Sequence, residues 1–254
     1  MDMKRIMKIS LFVILFLIVL LTIVFIFWGM NPTKATKDVK EFLKNSYVVK
    51  VFVSEKGDII FEPKSGNLLV GVVFYPGGHV EHIAYAPLAY MLAQKGIKVV
   101  ILKVPLSLAF LRIDGAREYI EKDTKIKWLV AGHSLGGVAA CEFARKNKDL
   151  VKGIILLASY PAKDMSNFDV SVLSLLGSND GLLSEEKWKQ KKILLPAHTE
   201  YFVIRGGNHS QFGEYGLQKG DKLAKVSSNV QKEITVDKIY EFIWKNIGVP
   251  DVLQ

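Results

Sequence analysis

Two hydrophobic patterns divide this chain. Residues 9–30 carry no charge and only two hydroxyls, Ser10 and Thr22, a run long enough for a helix to cross a bilayer. Beyond it the apolar positions come in short runs separated by turn residues. Residues 48–53 and 59–62 flank Glu55-Lys56-Gly57-Asp58 and predict a β-hairpin at a sheet edge. Residues 68–75 are apolar without alternation, the pattern of a strand buried on both faces.

From there the pattern alternates. A helix is expected at 85–95, a strand at 97–104, a helix at 108–122 and a strand at 126–131. An alanine-rich helix follows, then strands at 153–159 and 170–176, a polar helix at 184–192, a strand at 201–205 and a final helix at 226–246. Strands alternating with helices predict an α/β fold, a mainly parallel sheet with helices on both faces and right-handed crossovers. No repeat and no second core is visible. The expected organisation is a basic segment at 1–8, an anchor at 9–30, a linker or short helix at 31–46 and one domain at 47–254.

The apolar run exceeds a typical signal-peptide core and continues into Asn31-Pro32-Thr33-Lys34, not a small-x-small cleavage site. It therefore reads as an uncleaved, single-pass anchor in the cell membrane, its helix in contact with lipid. Lys4, Arg5 and Lys8 favour an inside N-terminus and an extracytoplasmic domain, although Lys34, Lys37 and Lys40 flank the other end.

Half of the 254 residues are hydrophobic, ample for one large core. The net charge of +9 comes from lysines scattered along the chain, without the arginine-rich or aromatic-interleaved blocks of a nucleic-acid binder. Such a surface would be drawn to anionic lipid or polymer beside a membrane. The single cysteine, Cys141, excludes an internal disulfide and reads as a packing residue. Nothing in the sequence speaks to oligomeric state.

Candidate chemistry centres on Ala131-Gly132-His133-Ser134-Leu135-Gly136-Gly137, which lies between a strand and a helix. In a G-x-S-x-G turn the serine is held in a strained conformation that exposes its Oγ, and the new helix aims its first N–H groups at the substrate carbonyl. In a parallel sheet, functional groups collect beyond the carboxyl ends of the strands. Three loops there supply partners.

Pro76-Gly77-Gly78-His79 offers the Gly78 N–H opposite that of Leu135 as an oxyanion hole. Gly177-Ser178-Asn179-Asp180-Gly181 offers Asp180 to orient an imidazole, with Asp164 and Asp169 as weaker rivals placed before their strand. Arg205-Gly206-Gly207-Asn208-His209 offers His209 as general base. His133 adjoins the serine and is expected to point away from it, and His198 precedes its strand. His79 and His82, with Gln211, are assigned to the wall of the substrate site. His79 and His82 flank Glu81 but have no evident third ligand, so no metal or other cofactor is implied.

The order Ser134, Asp180, His209 is the nucleophile–acid–histidine order of an α/β-hydrolase. From about residue 47 the chain resembles that superfamily, and within it the bacterial dienelactone-hydrolase-like group. The likeness rests on Phe74-Tyr75-Pro76-Gly77-Gly78, 132–137, 177–181 and Gly206-Gly207-Asn208-His209-Ser210-Gln211-Phe212-Gly213. Dienelactone hydrolases proper use a cysteine where Ser134 stands, so lactone hydrolysis is not implied. The expected function is cleavage of a small carboxylic ester or thioester through an acyl-enzyme. A peptidase or amidase of the same fold and a non-catalytic tethered binding protein are the alternatives. The short span 160–169 holds no helical lid, so the site is expected to be open, without a cap domain.

Overall fold

A computed structural model describes residues 3–66 and 68–248; the first two residues of the expected basic segment, Asn67 and the last six residues of the expected domain lie outside them. The N-terminal helix α1 (Met3–Met30) contains a 24-residue stretch, Met7–Met30, with a mean hydropathy of 3.4, long and apolar enough to cross a membrane.

The domain is built on one eight-stranded sheet: β1 (Val49–Val53), β2 (Ile59–Pro63), β3 (Val70–Tyr75), β4 (Lys98–Ile101), β5 (Lys127–His133), β6 (Gly153–Leu157), β7 (Ser171–Gly177) and β8 (Glu200–Ile204). Its order is β1-β2-β4-β3-β5-β6-β7-β8. The hairpin of β1 and β2 forms one edge, and β2 joins β4 antiparallel, while β4, β3, β5, β6, β7 and β8 run parallel to their neighbours.

Successive strand residues project to opposite faces, and both faces here are apolar. Val72 and Phe74 of β3, Leu129 and Ala131 of β5, and Ile155 and Leu157 of β6 meet α2 (Ala86–Gln94) and α6 (Ser228–Asn246). Val73, Tyr75, Trp128, Val130, Ile154 and Leu156 face the other way, onto α4 (Leu135–Lys146) and α3 (Arg117–Lys122). Between β6 and β7 no helix intervenes among the described residues, so no cap is inserted there. The polar helix α5 (Glu185–Gln190) follows β7 and is capped by the Ser184 side chain, which accepts from the Lys187 N–H.

One expected element differs. The helix expected over 108–122 is broken into a 3-10 stretch, Ala109–Ala116, and α3. Arg112 leaves the helical region (φ −144°, ψ 49°), and its guanidinium pairs with fully buried Asp58 of the hairpin turn. That ion pair outweighs local helix propensity. Residues 31–46, expected as a linker or short helix, contain a short 3-10 helix, Lys37–Leu43, with Val39 fully buried in the core, and the Thr36 N–H donates to the Glu214 carbonyl.

Candidate active site

At the end of β5 the chain makes the sharp turn that G-x-S-x-G predicts. Ser134 has φ 51° and ψ −121°, outside the ordinary regions for a side-chain-bearing residue. The glycines permit it by close approach. A Cβ on Gly132 would lie 2.3 Å from the Gly136 carbonyl carbon, and one on Gly136 would lie 2.1 Å from the Tyr75 oxygen. The Ser134 side chain does not cap α4, and the Ser159 hydroxyl braces the turn by donating to the Ser134 carbonyl at 2.6 Å.

Leu135 opens α4, so its N–H has no carbonyl within the helix to meet. Gly78 faces it across the site: a Cβ placed there would lie 2.9 Å from Leu135 Cδ2. The neighbouring amides are engaged, Gly77 with the Tyr85 hydroxyl and His79 with the Ser107 carbonyl. Gly78 has no acceptor for its N–H among the described residues.

Asp180 and His209, from the loops after β7 and β8, meet at 2.8 Å between Oδ2 and Nδ1, both buried. The other Asp180 oxygen accepts from the Leu182 and Leu183 N–H groups at 2.8 and 2.7 Å, which fixes the carboxylate plane. With Nδ1 donating to Asp180, His209 keeps its lone pair on Nε2. That atom is buried and unpartnered among the described residues, so its link to Ser134 Oγ is open here. Such contacts are often long before substrate binds and tighten in the Michaelis complex.

Asp221, Gln231 and Lys232, which belong to no motif, hold these loops. Asp221 accepts from the Gly181 N–H at 2.9 Å and from the Ser210 N–H and hydroxyl at 2.8 and 2.6 Å, tying the acid loop to the histidine loop. Burial alone would raise its pKa, but these bonds outweigh it and hold the carboxyl below its ordinary value. Gln231 of α6 pairs its amide with both backbone groups of Asn208, at 2.9 and 2.8 Å. Buried Lys232 pairs with Glu214.

His133 belongs to the elbow itself. It shares the sheet face of Leu129 and Ala131, away from α4, and there its ring lies 4.5 Å from that of His209, centroid to centroid. Its Nδ1 meets the Tyr85 hydroxyl at 2.9 Å. The same hydroxyl accepts from the Gly77 N–H, so Tyr85 bridges His133 to the loop that carries Gly78. Burial, with the adjacent His209 adding to it, drives the His133 pKa well below the ordinary value, so this ring stays neutral.

The other expected wall residues separate. Gln211 stays beside His209, its Oε1 buried without a partner among the described residues. His79 lies flat on Trp28, centroids 4.0 Å apart, and His82 turns to the Gly57 carbonyl at 3.1 Å. His82 thus belongs to the hairpin side, not to the site expected for it. Among the described residues no group of three His, Cys, Asp or Glu side chains could hold a metal ion. His198 sits at the amino edge, on the Val170 carbonyl. A separate cleft lined by Val48, Leu69, Ala93 and Trp244 contains no histidine or carboxylate.

A profile of the alpha/beta hydrolase family matches residues 71–233, most of the domain. The chain belongs to the alpha/beta hydrolase family. Its fold is similar to that of a predicted CIB-like hydrolase from Thermoplasma acidophilum, with a TM-score of 0.56 and 16% identity over 76% of this chain and 98% of that one. It is likewise similar to Est1E from Butyrivibrio proteoclasticus, solved with ferulic acid bound, with a TM-score of 0.56 and 13% identity over 79% of this chain and 97% of that one. No curated protein sequence matches. The family match reaches the superfamily; the narrower likeness to dienelactone hydrolases rests on the four loops alone.

Proposed function

We propose that this alpha/beta hydrolase is a membrane-anchored serine hydrolase that cleaves a carboxylic ester or thioester. The observation that carries the reading is the buried 2.8 Å contact of Asp180 with His209, on the same sheet edge as the strained Ser134.

In the proposed cycle His209 Nε2 takes the Ser134 proton as Oγ attacks the carbonyl carbon. Asp180 stabilises the imidazolium, and the N–H groups of Leu135 and Gly78 hold the oxyanion. Collapse expels the alcohol or thiol, which leaves with the proton from His209, and Ser134 keeps the acyl group. Water, deprotonated by His209, then releases the carboxylic acid and restores the serine. Ferulic acid bound to Est1E is a carboxylic acid, the product class of such a cycle. The chain's own residues supply each step, and no metal or cofactor enters it.

Met7–Met30 supports the membrane part of the reading by length and composition, and Lys4, Arg5 and Lys8 before it favour a domain outside. A panel of p-nitrophenyl esters set against aminoacyl and peptide anilides tests the reaction. Ester turnover with the anilides inert is the expected result. Anilide turnover at equal or higher kcat/KM makes the protein a peptidase or amidase, and inertness toward every acyl substrate returns it to a binding role.

A further inference from the structure

The junction between α1 and the domain has no slack. Trp28 stacks on His79 with planes 2° apart, and its carbonyl meets His79 Nε2 at 2.8 Å. Gly29, buried, packs on Leu106, where a Cβ would come within 2.7 Å of Leu106 Cβ. Four positions later the Thr33 N–H donates to the His79 carbonyl and the Thr33 carbonyl accepts from the Glu81 N–H, a short parallel bridge to Val80. Ala35 then donates to the Glu81 carboxylate, and Thr36 to the Glu214 carbonyl.

The helix end is therefore fastened to the loop that carries Gly78, and the next residues reach the segment that follows His209. Leu106 and Ser107 under this seat both have positive φ, 51° and 55°, and the Ser107 carbonyl receives the His79 N–H. Strained backbone of this kind persists only where surrounding contacts over-determine it.

If Met7–Met30 lies in a bilayer, the headgroup layer begins at about Trp28 to Asn31, and Trp28 packs on His79, in the loop that follows β3 at the carboxyl edge of the sheet. The rest of that edge suits such a neighbour. Leu182 lies two residues past Asp180, and Leu217 and Leu223 lie on the loop clamped by Asp221; all three are exposed, by 38%, 53% and 77%. Exposed Lys219, Lys222 and Lys225 alternate with them, a pattern of apolar insertion beside positive charge that matches an anionic lipid surface.

We propose that the mouth of the active site is held against the bilayer in which α1 is embedded, so that the substrate is an amphiphilic acyl ester carried by the membrane and not one taken from bulk solution. The proposal rests on the anchored-hydrolase reading above and adds the source of the substrate. A membrane-side mouth also suits a site without a cap, since the bilayer itself shields it from bulk water.

The test uses the full chain reconstituted in phosphatidylcholine–phosphatidylglycerol vesicles whose acyl chains are brominated near the headgroup. Cys141 is buried and its thiol is pushed up to about 12, so a cysteine introduced elsewhere takes a fluorophore selectively. Labels at Leu217→Cys and Leu223→Cys are expected to be quenched, by about twofold or more, as interfacial groups are. A label at Tyr47→Cys, fully exposed at the opposite edge, is expected not to be. In the same vesicles Leu217→Glu and Leu223→Glu are expected to slow hydrolysis of an embedded long-chain ester about tenfold while soluble p-nitrophenyl acetate is turned over as before.

A chain that fails to float with the vesicles refutes the anchor. Floating chains with rim labels no more quenched than Tyr47→Cys refute the apposition alone. Equal loss, or no loss, on both esters refutes the membrane-borne substrate. Because quenching needs no turnover, its result stands apart from whether Ser134 is a nucleophile.

Discussion

His133 lies against His209, rings 4.5 Å apart, and reaches through the Tyr85 hydroxyl to the Gly77 N–H. One buried chain of contacts thus joins His209, the proposed general base, to the loop that presents Gly78. Removing its middle link in Tyr85→Phe leaves the Gly77 N–H and His133 Nδ1 unpaired. The expected cost is about 1–3 kcal/mol of stability, read as a lower urea midpoint with an unchanged m-value. A fall in kcat larger than the change in KM is expected alongside it.

His133 also makes stability pH-dependent. Its folded pKa lies below the unfolded value, through burial, so unfolding takes up a proton in the window between the two. Stability is therefore full above about pH 6.5, the ordinary histidine value, and declines as the pH is lowered through it until the folded pKa is reached. Urea melts from pH 8 to pH 5 are expected to show this slope, and His133→Gln is expected to flatten it.

Asp180→Asn keeps an acceptor for Leu182 and Leu183 but presents an amide to His209 Nδ1 and removes the charge that stabilises the imidazolium. A loss of about 10⁴-fold in kcat, with KM little changed, is expected from steady-state ester hydrolysis.

Asp221 acts through the loops and not on substrate. In Asp221→Ala the Gly181 and Ser210 N–H groups lose their acceptor, and both the acid and histidine loops loosen. Faster amide exchange confined to 178–183 and 206–213 is the expected signature, with kcat reduced while the sheet stays protected.

The sheet was legible where one rule dominates. Continuous apolar runs marked β3, β5 and β6, which are buried on both faces, and Gly57 marked the hairpin turn. The elbow was legible because strain, glycines and helix start lie within seven residues. Asp180 and His209 were expected at the ends of two strands, and they lie there. What the sequence hid depends on distant partners. Arg112 abandons its helix for Asp58, 54 residues away, and Gln231 holds Asn208 from 23 residues further along. Val39 is buried by a domain whose expected start lay beyond it. His133 is adjacent to Ser134 in sequence, but its partner is the ring of His209, brought from a distant loop.

The central claim is that Ser134 is the nucleophile. A fluorescent alkyl phosphonate reacts with a serine only when a general base activates it, so labelling reads the site without knowledge of the natural ester. The account predicts one labelled peptide containing Ser134, with labelling lost in Ser134→Ala and strongly slowed in His209→Ala while both variants keep the wild-type melting transition. Undiminished labelling of folded Ser134→Ala, or modification mapped to another serine, would contradict it.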